Sequence, residues 1–227
     1  MTREMYTCLE NYMRDCMEDS AHDQEHIYRV LYNALEIAKQ EQNVDMDVLV
    51  TACLLHDIGR KEQFADPALC HAMVGGEKAY HFLQTQGWDA DFCEKVRHCI
   101  KTHRFRKAMQ PESIEAKILF DADKLDVTGA IGIARSLMYK AEVAEPLYTK
   151  EPDGRICDGT QEDAPPSFFR EYKFKLEKLY DKFYTEAGSA MARQRQEIAK
   201  DFYEALYREV NCGYATGQAM LDCWLEK

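Results

Sequence analysis

The chain has 227 residues, of which 46% are hydrophobic and 30% are charged. A chain of this length can bury a sizeable core, and this hydrophobic fraction is ordinary for globular proteins, so disordered and fibrous classes are excluded. The formal net charge is −11. Because binding to long nucleic acid depends on neutralising many phosphates, this charge argues against long nucleic acid as a partner, whereas a small anion can still bind in a local basic pocket.

Nine cysteines are scattered along the chain without a C-x-x-C pair, and Cys53 lies inside an apolar run. This pattern indicates reduced, buried thiols rather than a disulfide framework. The first residues lack the apolar stretch of a signal peptide, and the longest apolar run is far shorter than the roughly 20 residues that cross a bilayer. We therefore expect a cytoplasmic protein without membrane attachment, and both a monomer and a homodimer remain open.

Hydrophobic spacing predicts two helices in the first quarter of the chain. Residues 24–41 follow the i, i+3, i+4, i+7 pattern of an amphipathic helix. Residues 46–57 are apolar on nearly every side, which predicts a core helix that Gly59 ends. A buried strand is the competing interpretation of this run, but its length and the absence of a neighbouring strand favour the helix.

Further helices are expected at about 71–86, 90–103 and 113–138, with breaks at Gly87 and Pro111. No segment alternates between polar and apolar residues as a half-buried strand would. The predicted fold class is therefore all-α.

The character of the sequence changes after residue 140. Residues 141–166 contain four of the six prolines and predict an irregular segment, either a solvated linker or a working lid. From Ser167 onward, apolar residues recur at 3–4–3–4 spacing, which predicts a helix. A second helix at about 190–210 would fold back on it, and a short helix would end the chain.

Several ionisable residues lie where an ordinary core would not put them. His56 and Asp57 close the most apolar helix of the chain, and burying a carboxylate beside an imidazole is costly unless something pairs with them. A divalent cation would do so, and the C-terminal end of a helix favours a cation. His26 borders the apolar face of the first long helix, one turn before Val30, so it can face the same core.

A fourth group lies in the sequence Phe-Asp-Ala-Asp-Lys-Leu-Asp, which ends at Asp126. On a continuous helix with 100° per residue, Asp121 shares a polar stripe with Lys124. Asp123 falls among apolar residues on the opposite side, with Asp126 one turn further on. We therefore expect Asp123 to be the buried carboxylate and Asp121 to form solvent-exposed pairs.

Two imidazoles and two carboxylates, those of His26, His56, Asp57 and Asp123, then form a mixed nitrogen and oxygen donor set. Such ligands suit Mn²⁺, Fe²⁺, Co²⁺, Ni²⁺ or Zn²⁺, while a Mg²⁺ site is more often all oxygen. Four protein ligands leave positions on a six-coordinate ion for water and a substrate oxygen. We expect one divalent ion, which would polarise a phosphoryl oxygen and lower the pKa of its bound water.

The order His26, His56-Asp57, Asp123 reproduces the H…HD…D order of the HD-domain superfamily. In particular, the chain resembles the small bacterial HD-domain hydrolases of the nucleotide phosphohydrolase type. The matching segments are His-Asp-Gln-Glu-His-Ile-Tyr-Arg-Val (22–30), Leu-Leu-His-Asp-Ile-Gly (54–59), Ser-Ile-Glu-Ala-Lys-Ile-Leu-Phe-Asp-Ala-Asp-Lys-Leu-Asp (113–126) and Gly-Ala-Ile-Gly-Ile-Ala-Arg (129–135). The resemblance covers most of the chain, with one departure at Val127-Thr128.

The resemblance implies an HD-domain helical bundle with a C-terminal helical hairpin packed on it. It also implies a bound divalent metal and hydrolysis of phosphoester or phosphoanhydride bonds, with nucleotides as the leading substrate class. We expect residues 1–140 to form the metal-site core, 141–166 to form an irregular loop, and 167–227 to complete the same domain.

Phosphate binding requires positive charge and hydrogen-bond donors near such a site. The candidate residues are Arg29, Arg60, Lys61, Arg104 and Arg106. Arg60 and Lys61 directly follow the His-Asp pair, so they can lie at the mouth of the site. A solvated basic surface is the alternative for each of them.

Proton transfer requires two further roles. Asp57 or Glu25 could position the attacking water, and His71 or His103 could protonate the leaving group.

Two other functions remain open at this point. Some HD-domain proteins hold two irons and activate oxygen with two further histidines between the His-Asp pair and the last aspartate, and this chain has His71, His98 and His103 in that interval. The second alternative is a non-catalytic module that binds a nucleotide.

Overall fold

The computed structural model describes residues 1–17, 24–104, 109–162 and 164–226. In these ranges the backbone is mainly helical, and its only β-type pairing is an isolated bridge between Lys150 and Ile156. The predicted all-α fold class is confirmed. The helices are α1 (Arg3–Met17), α2 (Gln24–Ala38), α3 (Met46–Leu55), α4 (Arg60–Ala65), α5 (His71–Thr85), α6 (Ala90–Thr102), α7 (Ile114–Leu125), α8 (Gly129–Glu142), α9 (Phe168–Phe174) and α10 (Glu186–Leu225).

All nine cysteines are free thiols, as their spacing predicts, and four of them, including Cys53, are buried. Burial raises the pKa of Cys99 to about 12, so its thiol stays protonated. Among the helices in the described ranges, none is both long and apolar enough to cross a membrane.

Helix α3 forms the centre of the helical core. The carboxylate of Asp45 caps its N-terminus by accepting hydrogen bonds from the amides of Asp47 (3.1 Å) and Val48 (3.2 Å). The helix is apolar on all faces, and α1, α2, α6 and α7 pack around it. Because α3 ends at Leu55, the next two residues emerge inside the bundle, and both are fully buried.

The backbone packs into two compact units. Unit 1 comprises Met1–Asp126 and Phe183–Ser189, and unit 2 comprises Val127–Lys182 and Ala190–Lys227. The division falls at Asp126 rather than near residue 140. The assignment of the whole chain to one domain stays a prediction.

The continuous helix expected over 113–138 is wrong, because the structure has two helices there. The first ends at Leu125, and Gly129 adopts a φ of +61°, a region that residues with a Cβ rarely occupy. Gly132 approaches Val127 so closely that a Cβ would lie 2.3 Å from the carbonyl oxygen of Val127. The two glycines therefore permit a sharp turn that side chains would prevent.

Unit 2 contains the predicted pair of C-terminal helices, with different bounds. Helix α9 has only seven residues and a 3-10 turn follows it, whereas α10 is one helix of 40 residues instead of two separate ones. The ring of Tyr172 stacks on that of Tyr203 with centroids 4.3 Å apart, and Phe169 contacts Tyr203 at 5.4 Å. The apolar spacing from Ser167 onward therefore predicted a helix, but not Tyr203, its contact on α10.

Of the predicted irregular segment 141–166, the first two residues belong to α8, and residues 143–162 and 164–166 form no helix. The carbonyl oxygen of Pro146 accepts a hydrogen bond from the amide of Phe168 (3.0 Å), and the hydroxyl of Tyr203 donates to the carbonyl oxygen of Asp158. Within the described part of this segment, the chain is therefore hydrogen-bonded to the helices of its own unit and does not form a purely solvated linker.

Candidate metal centre

Four histidines from four parts of unit 1 surround one aspartate. His26 lies in the first turn of α2, His56 follows α3, His71 begins α5 and His103 follows α6. All four imidazoles and the carboxylate of Asp57 are buried, with at most 3% of each residue exposed. The structure thus brings together residues that are up to 77 positions apart, since His26 and His103 lie at opposite ends of the group.

The four Nε2 atoms are directed at the two oxygens of Asp57. Oδ2 lies 3.6 Å from Nε2 of His26 and 3.7 Å from Nε2 of His56. Oδ1 lies 3.3 Å from Nε2 of His71 and 3.7 Å from Nε2 of His103. Asp57 therefore stands between two pairs of imidazoles, one on each oxygen.

Local hydrogen bonds fix the protonation of two of these rings. Nδ1 of His56 is 2.8 Å from the carbonyl oxygen of Cys53, and Nδ1 of His103 is 2.6 Å from that of Ile100. A carbonyl oxygen can only accept, so each Nδ1 carries the hydrogen and donates it. In the neutral ring, Nε2 is then left with a lone pair that faces the centre.

A side chain of α4 positions the ring of His71 in a similar way. Gln63 donates from Nε2 to the carbonyl oxygen of Leu69 (3.0 Å), so its Oε1 is the atom that accepts from Nδ1 of His71 (2.6 Å). Gly59 packs directly against this helix, because a Cβ there would lie 2.3 Å from the carbonyl oxygen of His71 and 2.6 Å from the amide nitrogen of Gly75. No side chain at position 59 is compatible with this approach.

Asp123 joins the group from the end of α7. Its Oδ1 lies 3.3 Å from Nε2 of His26 and 3.9 Å from Nε2 of His56. Its side chain is 28% exposed whereas Asp121 is fully buried, so the prediction that Asp123 rather than Asp121 is the buried carboxylate is wrong. This partial exposure places the carboxylate at the side of the centre that solvent can reach.

Asp121 and Lys124 do not form the solvent-exposed stripe that the helical wheel predicts. Asp121 is fully buried and accepts hydrogen bonds from the amides of Tyr184 (2.9 Å) and Thr185 (2.7 Å) and from the Thr185 hydroxyl (2.7 Å). Lys124 is 8% exposed, with Nζ 3.9 Å from the ring centroid of Phe120. The prediction fails because a segment 63 residues further along the chain covers this face of α7.

Among the described residues, the side chains form two groups that can hold a cation, each with donor atoms within 4.8 Å of one another. The groups are His26, His56 and Asp123, and Asp57, His71 and His103. Their nitrogen and oxygen donors match the mixed ligand set that transition metals prefer. His98, the third histidine of the interval considered above, belongs to neither group in the described part of the chain.

The carboxylate of Asp57 supports the fit of a cation. Both of its oxygens are buried and accept no hydrogen bond from the described residues. Nε of Arg60 is 3.0 Å from Oδ1, a distance that permits an ion pair, but the N–H is not aligned for a hydrogen bond. Burial would raise the pKa of Asp57, yet its electrostatic interactions with His56, Arg60 and His26 hold it well below its usual range. A buried, ionised carboxylate that lacks hydrogen bonds is what a bound cation would stabilise.

Burial also keeps three of the imidazoles neutral. It lowers the pKa of His56 to about 4 and that of His71 to about 2, and it lowers the pKa of His103, although the nearby carboxylates act in the opposite direction. Neutral imidazoles are the form that binds metals or accepts a proton. To protonate a leaving group, His71 or His103 would first have to take up a proton.

His26 differs from the other three histidines. Burial lowers its pKa, but hydrogen bonds to Asp123 and Asp126 outweigh this effect and raise the pKa to about 9. Conversely, burial raises the pKa of Asp123, while His26 lowers it well below its usual range. In the metal-free protein, His26 therefore carries a positive charge between two carboxylates.

Two of the candidate phosphate-binding arginines lie in different surroundings. Arg60 lies beside Asp57 with its side chain 23% exposed, so it is within reach of a ligand at the centre. Arg29 is engaged with Asp126, at 2.7 Å from Nε to Oδ1. Sequence reasoning identified both arginines but could not distinguish these environments.

The other candidates differ in their exposure, and one lies outside the described residues. Lys61 and Glu25 have exposed side chains, and Arg104 is half-buried next to His103. Arg106 lies outside the described residues. Their roles in binding phosphate or positioning water stay predictions.

Sequence reasoning missed the supporting residues behind the rings. Gln63 fixes His71, and Asp126 is hydrogen-bonded to His26 rather than simply adjacent to Asp123. The i, i+3 spacing of Asp123 and Asp126 was a signal for the role of Asp126. Nothing in the sequence indicated the role of Gln63.

Comparison with known proteins identifies the class of protein to which this centre belongs. A model of the HD domain family matches residues 24–128. The protein YpgQ of Bacillus subtilis (strain 168) is 30% identical over 198 residues, which cover 85% of this chain and 86% of YpgQ. The chain belongs to the HD-domain family, as the order of its histidines and aspartates predicted.

Solved structures agree with this assignment. An HD-superfamily hydrolase from Bacillus thuringiensis is similar with a TM-score of 0.70 and 28% identity, over 92% of this chain and 98% of that one. A crystal structure of Bacillus subtilis YpgQ in complex with ADP is similar with a TM-score of 0.69 and 26% identity, over 91% of this chain and 95% of that one.

Proposed function

We propose that this protein is a divalent-metal-dependent phosphohydrolase that acts on nucleotides. The observation that carries the proposal is the group of His26, His56, Asp57 and Asp123, in which the buried carboxylate of Asp57 faces imidazole nitrogens and accepts no hydrogen bond from the described residues. His26, His56, Asp57 and Asp123 are the proposed metal ligands. Mn²⁺, Fe²⁺, Co²⁺, Ni²⁺ and Zn²⁺ suit this donor set, and Mg²⁺ is the less favoured candidate.

The ion would polarise a phosphoryl oxygen and lower the pKa of a water molecule that it holds. The protein supplies the geometry and the electrostatics. Asp57 is ionised and fixed between the imidazoles, so it can orient an attacking water through a carboxylate oxygen. His71 and His103 present neutral Nε2 atoms to the same oxygen of Asp57, where their lone pairs can accept a hydrogen bond from a water molecule and so help to orient it.

Nucleotides are the proposed substrate class because the similar protein YpgQ has been crystallised with ADP. Arg60 is the first candidate for a phosphate contact, since its guanidinium lies beside Asp57 and is partly exposed. Arg104, next to His103, is the second, and Lys61 is a third at the adjacent surface. Guanidinium groups suit phosphates because they donate two parallel hydrogen bonds.

The group of Asp57, His71 and His103 offers a place for a second ion. An oxygen-activating centre with two irons is nevertheless not the function that we favour, because the similar structure from Bacillus thuringiensis is described as a hydrolase. A module that only binds nucleotides would not need two neutral imidazoles beside an ionised carboxylate. The cytoplasmic location, the oligomeric state and the absence of binding to long nucleic acid stay predictions.

The experiment is a hydrolysis screen with the metal-free protein. Nucleoside mono-, di- and triphosphates are each incubated with Mn²⁺, Co²⁺, Ni²⁺, Zn²⁺ or Mg²⁺, and released phosphate and pyrophosphate are measured. We expect no turnover after chelation and restored turnover with Mn²⁺ or a similar ion. The number of ions per chain is counted in the same samples, together with oxygen uptake in the iron-loaded protein.

Three variants separate substrate binding from metal binding. Arg60→Ala, Lys61→Ala and Arg104→Ala should lower kcat/KM while the metal content stays at the wild-type level. Full activity in the metal-free protein would refute the proposal. Unchanged kcat/KM in all three variants would show that the phosphates bind elsewhere.

A further inference from the structure

Asp126 lies behind His26, on the side of the ring that faces away from the other donor atoms. Its Oδ2 is 2.7 Å from Nδ1 of His26. The opposite ring nitrogen, Nε2, is 3.3 Å from Oδ1 of Asp123 and 3.3 Å from Nε2 of His56. The imidazole is therefore held by a carboxylate at one nitrogen and faces the proposed ligands with the other.

This arrangement differs from that of the other three histidines of the centre. Their Nδ1 atoms donate to neutral oxygens, two from backbone carbonyls and one from a side-chain amide. A carboxylate is a stronger acceptor than either, and such a partner makes the distal nitrogen of a ligating histidine more basic.

Asp126 is itself held rigidly. It is 1% exposed, and Arg29 donates to it from Nε (2.7 Å to Oδ1) and from Nη2 (3.1 Å to Oδ2). Its amide donates to the carbonyl oxygen of Asp123 (3.1 Å) and thereby caps the helix that carries the proposed ligand. With both oxygens engaged, Asp126 belongs to neither of the groups that can hold a cation.

The four residues form two pairs with i, i+3 spacing. Helix α2 carries His26 and Arg29, and the end of α7 carries Asp123 and Asp126. His26 and Asp123 face the centre, while Arg29 and Asp126 form an ion pair behind them. The ion pair of Arg29 and Asp126 can therefore hold His26 and Asp123 in place without touching a substrate.

We propose that Asp126, held by Arg29, is a positioning residue that keeps His26 protonated at Nδ1 and directs its Nε2 at the metal. This inference rests on the proposed function, since it requires the ion to bind at His26. It also assigns Arg29 to the support of the centre rather than to phosphate binding.

The test compares two buried aspartates of the same segment. Asp126→Asn removes the charge behind His26, whereas Asp121→Asn, the matched control, changes a carboxylate that is hydrogen-bonded to Tyr184 and Thr185. Mn²⁺ binding to the chelated proteins is measured by titration calorimetry. We expect the Kd to rise by about 10–100-fold in Asp126→Asn and by less than about threefold in Asp121→Asn.

Two results would overturn the positioning role. One is a Kd for Asp126→Asn within about threefold of the wild type, and the other is an equal loss of affinity in both variants, which would indicate a purely structural effect. If the wild type itself does not bind Mn²⁺, the proposed function fails and the positioning role fails with it. Normal binding by both the wild type and Asp126→Asn contradicts only the positioning role.

A measurement on the unaltered protein makes the test independent of how the variants fold. In the Zn²⁺-loaded wild type with ¹⁵N-labelled histidine, the ring of His26 should carry its hydrogen on Nδ1 and bind the metal through Nε2. A hydrogen on Nε2, or metal bound through Nδ1, would contradict the inference.

Discussion

The protonation state of His71 is set by its burial. Its ordinary pKa of 6.5 falls to about 2, because burial disfavours the charged ring and Arg60 adds to this effect, while Asp57 opposes it. Below about pH 6.5 the unfolded chain therefore binds a proton that the folded chain refuses. The contribution of a neutral His71 to stability is fully present above this pH and is lost as the pH falls.

Acid should therefore destabilise the metal-free protein in part through His71. We expect the free energy of unfolding to decrease between pH 6.5 and 5, and His71→Gln to reduce this slope by up to about 1.4 kcal/mol per pH unit, the value for one proton. Denaturant unfolding of the chelated protein at several pH values measures the slope. The exposed His81 provides a control variant, His81→Gln, which should keep the wild-type slope.

The pH range separates this effect from that of His26. The pKa of His26 is raised to about 9. The contribution of protonated His26 to the free energy of unfolding is therefore fully present below pH 6.5 and is lost as the pH rises through 9. Equal slopes in the wild type and in His71→Gln between pH 5 and 6.5 would contradict the assignment of a lowered pKa to His71.

At the scale of a helix, α7 uses its two neighbouring aspartates for different purposes. Asp123 faces the histidines of the centre, and Asp121 binds the backbone at Tyr184 and Thr185. The two carboxylates lie on opposite sides of the helix, as residues two apart must. One side serves the proposed metal, and the other anchors a segment that precedes α10.

Alanine at each of these positions should therefore have opposite consequences. Asp121→Ala leaves the amides of Tyr184 and Thr185 without their acceptor, so we expect a loss of about 2–4 kcal/mol in the free energy of unfolding and a metal content equal to that of the wild type. Asp123→Ala should abolish metal retention. Denaturant unfolding and metal analysis of the purified variants measure both effects, and loss of metal from Asp121→Ala with retention by Asp123→Ala would contradict this division.

For the whole molecule, binding of an ion to the folded chain alone must stabilise it. At a Mn²⁺ concentration of about 100 times the Kd, we expect the free energy of unfolding to increase by about 2.7 kcal/mol. The melting temperature with and without a chelator measures the change. His56→Asn, which alters a proposed ligand, should show no such increase, and the absence of a shift in the wild type would contradict metal binding at this centre.

The sequence alone determined the features that depend on local pattern. The apolar run that forms α3 and the recurring apolar residues from Ser167 onward that form α9 were readable from periodicity. The spacing of His26, His56-Asp57 and Asp123 identified the family and named four residues that the structure brings together. Their role as metal ligands stays a proposal.

The tertiary structure decided what depends on segments that are distant in the chain. Periodicity assigned Asp121 to solvent, but burial against Tyr184 and Thr185 is more favourable, since it satisfies their amides. Sequence spacing could not show that Gln63 and Asp126 would hold the rings of His71 and His26. A helical wheel describes the faces of one helix, whereas the free energy of covering each face depends on partners that only the folded chain supplies.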